Sequence, residues 1–113
     1  MSKQYKEITR DISTSLAKLR QEIPDVMNAF SGLAQNSTKD GALDKKTKEL
    51  MALALGIAGH CDGCIGFHVQ ALIKLNVTRA ELLETLSMAI YMGGGPSLMY
   101  AADALHAFEE FSM

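Results

Sequence analysis

No long run of apolar residues occurs in this chain, and that absence sets the first limit on what it can be. The longest such stretch, Leu50 to Gly59, is about half of what a membrane-spanning helix needs, so no membrane partner is expected. The opening residues, Met-Ser-Lys-Gln-Tyr-Lys-Glu, hold neither an apolar core nor a small-residue cleavage pattern, which predicts a cytoplasmic protein. Charge of one sign is missing too. Eleven Lys and Arg are interspersed among thirteen Asp and Glu for a net charge of −2, with no basic stripe, so nucleic acid is not an expected partner. Cysteine is scarce: there are two, both within Cys61-Asp62-Gly63-Cys64, which is not how a secreted disulfide scaffold is built. Strand-like alternation, low-complexity segments and internal repeats are also lacking.

What is present is helical periodicity. Ile8, Ile12, Leu16 and Leu19 recur at helical spacing from Tyr5 onward, with charged residues between them. Pro24 suits the first turn of a second helix, whose buried stripe would be Val26, Met27, Phe30, Leu33 and Ala34. Asp44 is a candidate N-cap for a third helix that is apolar on every side from Leu50 onward, and Gly59 is its expected stop. A fourth helix is predicted from Asp62 to Leu75, closed by Asn76. Thr78 and Glu81 form a capping box for a fifth, with Leu82, Leu83, Leu86, Ala89 and Ile90 on one face. Gly93 to Pro96 should break it, leaving a last helix with Leu98, Ala101, Ala102, Leu105 and Phe108 inward. Met51, Met88, Met92 and Met99 fall on apolar faces and are expected in the core. The fold expectation is all-α, a single compact helical domain over residues 1–113 with five or six short helices. A chain of 113 residues buries roughly two-thirds of its unfolded surface. With 48% hydrophobic residues, part of its apolar surface is expected to meet another subunit.

The chemistry centres on the two cysteines. Cys61, Cys64 and His68 lie at offsets of zero, three and seven, within roughly 60° of one another around a helix. The cysteines would occupy a first turn, where unpaired N–H groups and the helix dipole favour a thiolate, and His68 is one turn beyond Cys64. If the third and fourth helices fold back on each other at Gly59, Glu49 lies about 15 Å down one and His68 about 13–14 Å down the other. A carboxylate at the same height as the imidazole would orient it, giving a relay from Glu49 through His68 to Cys64. No cofactor is called for.

Glu49 followed by Cys61-x-x-Cys64-x-x-x-His68, between an alanine- and leucine-rich helix and the next one, resembles the signature of the alkylhydroperoxidase-D and carboxymuconolactone decarboxylase superfamily. The resemblance covers roughly residues 40 to 110 and includes the Gly93 to Pro96 break. It implies an alkylhydroperoxidase-D-like all-helical fold, a homo-oligomer that is a trimer or hexamer, and reduction of small hydroperoxides through the cysteine pair. Some peroxidase members carry a histidine between their cysteines where this chain has Gly63. The decarboxylase branch lacks the redox cysteines. The sequence therefore points to a CxxC thiol oxidoreductase that reduces hydroperoxides or partner disulfides. Cys64 would attack, Cys61 would resolve, and an external dithiol or redox protein would restore both.

Blander readings stand beside this one. The cysteines could be inert buried thiols, or, with His68 and Glu49 or His60, half of a zinc site in a non-catalytic helical oligomer. Glu49 could be a surface carboxylate paired with Lys45 or Lys46. His60 reads equally as a modulator of Cys61 and as a surface residue ending a helix, and no role is assigned to His106, Tyr91 or Tyr100.

Overall fold

The computed structural model describes residues 2–113. Five helices follow one another: α1 (Tyr5–Glu22), α2 (Pro24–Thr38), α3 (Lys45–Ala58), α4 (Asp62–Lys74) and α5 (Arg79–Phe111). No strand occurs among the described residues. Local chemistry sets most of the boundaries. Pro24 opens α2, where its missing N–H costs nothing. The Asp44 carboxylate accepts the Thr47 N–H at 2.8 Å at the start of α3. At the start of α5, Thr78 and Glu81 each accept the other's backbone N–H, completing the capping box.

The turn between α3 and α4 departs from expectation in one residue. Gly59 keeps an ordinary right-handed conformation, and His60 takes the left-handed one, at φ 55°. The bonds Cys61 N–H to Gly56 O (3.0 Å) and His60 N–H to Ile57 O (3.1 Å) form a Schellman motif. That motif needs its left-handed residue one place after the C-cap, which falls on His60. Asn76, at φ 61°, ends α4 with the same pair of bonds, from Val77 to Leu72 and from Asn76 to Ile73.

The core lies where α3 packs between α4 and α5, with Leu53, Ile57, Ile65, Val69, Leu72, Leu82 and Leu86 at its centre and Tyr5 of α1 closing one side. Gly56 allows the close approach of α3 to α4: a Cβ there would stand 2.9 Å from Cys64 Cβ. The predicted break before Pro96 is a kink without a loop. Gly94, at φ 73° and ψ −155°, turns the backbone out of helical geometry and the helix resumes at once.

Several burial expectations are overturned. None of Val26, Met27, Phe30, Leu33 or Ala34 is buried, and Phe30 is 66% exposed, because α2 touches only α1 and α3 and nothing in the chain covers its far side. The third helix is not buried all round, since Leu55 is 72% exposed. Met51, Met88, Met92 and Met99 lie outside the core. Beyond the kink Ala101, Ala104 and Ala107 face inward, while Leu98 and Ala102 face out, because the small alanines let this half of α5 approach the core closely.

Candidate active site

Two antiparallel helices carry the site. Glu49 projects from the second turn of α3 and is 7% exposed; Cys61 is the N-cap of α4, with Cys64 and His68 following on that helix. The turn at His60 brings the two helices side by side, so the equal rises on either side of it place Glu49 against His68. The Glu49 Oε2 to His68 Nδ1 distance is 2.6 Å. An ionised carboxylate can only accept, so Nδ1–H donates and the other ring nitrogen is left for proton exchange. The alternative pairing of Glu49 with Lys45 or Lys46 does not occur: Lys46 Nζ lies 2.9 Å from Glu81.

Cys61 and Cys64 are joined as a disulfide with Cα atoms 5.2 Å apart. Both are partly buried, and Cys61 Sγ accepts the Cys64 N–H at 3.1 Å as the helix cap. A sulfur in that position gains from the helix N-terminus whenever it becomes a thiolate. All four residues singled out in the sequence are therefore assembled between α3 and the first turns of α4. Among the described residues no hydrogen bond links His68 to either sulfur, and no group of three or more His, Cys, Asp or Glu is arranged to hold a metal ion. On the far side of the motif lies α1. Ile12 Cδ1 sits 2.8 Å from where a Cβ on Gly63 would stand, so a side chain there would first have to displace the tip of Ile12.

A polar cluster beside Cys61 had no sequence forecast. Lys3 Nζ is 2.7 Å from Asp103 Oδ2 and 3.0 Å from Asp62 Oδ1, and Tyr5 OH donates to the same Asp103 oxygen at 3.2 Å. The hydrogen bond to Asp103 is the main reason the Lys3 ammonium is held above its ordinary pKa. Burial, reinforced by Asp103 and Asp62, pushes the Tyr5 hydroxyl far above the ordinary phenol value. His60 stacks on Tyr100, with ring centroids 4.8 Å apart. Of these residues His60 carried a signal in the sequence, through its place next to Cys61, whereas Lys3, Tyr5 and Asp103 carried none.

Fold and site together define an alkylhydroperoxidase-D-like helical protein, with a vicinal CxxC pair backed by a carboxylate–histidine couple. The chain belongs to the carboxymuconolactone decarboxylase family, whose model matches residues 24–107. It is similar to a carboxymuconolactone decarboxylase family protein of Legionella pneumophila, solved in its apo form, at 69% identity and a TM-score of 0.95 over 96% of this chain and 97% of that one. A Thermotoga maritima family protein, suggested to take part in an antioxidative response, superimposes with a TM-score of 0.78 at 27% identity, covering 97% of this chain and 91% of that one. Among curated proteins, an uncharacterized protein of Cupriavidus necator is 38% identical over 90% of this chain and 96% of its own length. The alkyl hydroperoxide reductase AhpD of Mycobacteroides abscessus is 30% identical over 66% of this chain and 42% of its own length.

Proposed function

We propose that the protein is a thiol-dependent peroxidase of the cytoplasm that reduces small hydroperoxides or the disulfides of partner proteins. The observation that carries the reading is the bonded Cys61–Cys64 pair at the start of α4, with the 2.6 Å Glu49–His68 couple joining α3 to that same helix. The likeness to a mycobacterial alkyl hydroperoxide reductase and to a Thermotoga protein linked with antioxidative response supports it.

In the proposed cycle the Cys64 thiolate attacks the distal oxygen of ROOH. The O–O bond breaks, ROH leaves with a proton supplied by His68, and Cys64 becomes a sulfenic acid. The Cys61 thiolate then attacks that sulfur, the S–O bond breaks as the disulfide forms, and the displaced hydroxide takes a proton from solvent and leaves as water. An external dithiol reduces the disulfide by exchange and is itself oxidised, so one peroxide consumes one dithiol. Cys61 and Cys64 act as resolving and attacking thiols, His68 moves the proton, and Glu49 orients His68. The protein is proposed to work as a homo-oligomer, a trimer or hexamer. Support comes from a continuous exposed apolar face running from Leu43 through Met51 and Leu55 to Met88 and Met92, with shallow hollows of about 260 to 310 Å³ along it.

The test is peroxide consumption with several dithiol reductants, on wild type and Cys64→Ser. Dithiol-dependent loss of peroxide that disappears in the variant is the expected result; no loss in wild type with any reductant would overturn the peroxidase reading.

A further inference from the structure

Cys61 is flanked by two residues that converge on one cation. Asp62 meets Lys3 Nζ directly at 3.0 Å. His60 reaches it through Tyr100, because its ring stacks on Tyr100 with the planes 4° apart and Lys3 Nζ lies 5.1 Å from the centroid of that tyrosine ring. The ammonium is fixed in place from behind. Asp103, among the few buried carboxylates, holds it at 2.7 Å, and His106 Nε2–H faces the Lys3 carbonyl oxygen at 3.0 Å. Lys3 thus spans the segment before α1, the first turn of α4 and the second half of α5.

We propose that Lys3 is a positioning residue for the thiol pair: it offsets the charge of Asp62 inside the CxxC motif and so keeps Cys61 readily ionised. The proposal rests on the thiol-redox reading above. Asp62 suits the first turn of α4, where the dipole favours a carboxylate, but a negative charge next to Cys61 opposes formation of the Cys61 thiolate. The groups that face this point are Lys3 and Tyr5 from the N-terminal side, His60 and Asp62 around the turn, and Tyr100, Asp103 and His106 from α5. Lys3 is the one permanent cation in that set. Its contact with Asp62 is partly open to solvent, so the effect on the thiol is moderate rather than large.

The experiment uses the reduced full chain carrying Cys64→Ser, in which Cys61 is the sole thiol, and reads its ionisation midpoint from iodoacetamide alkylation against pH. Lys3→Met should raise the midpoint by about half to one pH unit, slowing alkylation at neutral pH by roughly three- to tenfold. Lys3→Arg should leave it in place. Adding Asp62→Asn to Lys3→Met should bring it back toward the parent value, a rescue that a purely structural role would not produce. An unchanged midpoint in folded Lys3→Met, or a double variant as high as Lys3→Met alone, overturns the proposal. If circular dichroism shows that Lys3→Met does not fold, Asp62→Asn decides alone: its midpoint must fall, and no change refutes the charge argument. The Cys64→Ser background reads Cys61 without any peroxide turnover. Failure of the peroxidase reading would appear separately, as no peroxide loss by the wild type.

Discussion

Replacing Glu49 by Gln keeps the shape of the buried side chain and removes its charge from His68. At an effective dielectric of about 20, opposite charges about 4 Å apart attract by about 4 kcal/mol. The His68 side chain is 32% exposed, and solvent there screens away more than half of that. About 1.5 kcal/mol remains, which is roughly a tenfold loss in the rate at which Cys64 reacts at neutral pH. His68→Ala removes the proton acceptor itself and should cost about a hundredfold or more, the range for losing general-base help. Because Glu49 acts through His68, the double variant should lie within about threefold of His68→Ala rather than showing the product of the two losses. Stopped-flow alkylation against pH, on reduced protein with Cys61→Ser so that only Cys64 is read, measures all four forms. Raising the pH should recover much of the lost rate, since it supplies thiolate without the base. A Glu49→Gln variant with unchanged rate and unchanged midpoint would refute the relay, leaving the 2.6 Å contact as a structural ion pair.

Four shorter expectations accompany it. Mild oxidation should join Cys61 to Cys64 within one chain, reversibly with dithiols; mass spectrometry that finds two free thiols after peroxide would end the redox reading. Gly56→Ala places a methyl 2.9 Å from Cys64 Cβ and should cost about 1–3 kcal/mol by overpacking, read as a lowered Tm; an unchanged Tm would mean that α3 and α4 separate freely. Burial alone would raise the Glu110 carboxyl, but the N–H groups of Lys6 and Tyr5, with His106 nearby, hold it below its ordinary value of 4.5. Its contribution is therefore present above that value and lost as the pH falls below it, so Glu110→Gln should flatten the drop in Tm on acidification, and an equal drop in both forms would exclude this anchor. Leu55→Glu should dissociate the oligomer in light scattering, and a wild-type monomer at micromolar concentration would remove the proposed assembly altogether.

The hairpin at the site was legible because it depends on little beyond helix rise and one turn. Glu49 and His68 are equally far from that turn, and Asp44, Thr78 and Glu81 mark helix starts by chemistry confined to a few residues. Burial was legible only in part. Periodicity shows that Phe30, Leu55 and Met92 are apolar, but not whether their own chain covers them, and here it does not. The second half of α5 was read correctly at Ala101, Leu105 and Phe108, which pack on the core, and misread at Leu98 and Ala102 for a related reason. Leu98 looks like a core residue by hydropathy, whereas the close approach at Ala101, Ala104 and Ala107 selects small side chains for the inner face. The cluster around Lys3 joins residues about a hundred positions apart, and no local pattern marks such a pair. At the turn, the Schellman geometry overrode the ordinary preference for glycine in the left-handed place.

The seat of Ile12 over Gly63 links two parts of the chain that would usually be considered separately. Placing a histidine at position 63 would require the Ile12 side chain to swing aside before the new Cβ could be seated. The two positions are therefore coupled: the space beside Gly63 depends on how a side chain from another helix is turned. A glycine at 63 thus records a packing contact with α1, and exchanging it changes the fit of two helices before it changes any chemistry.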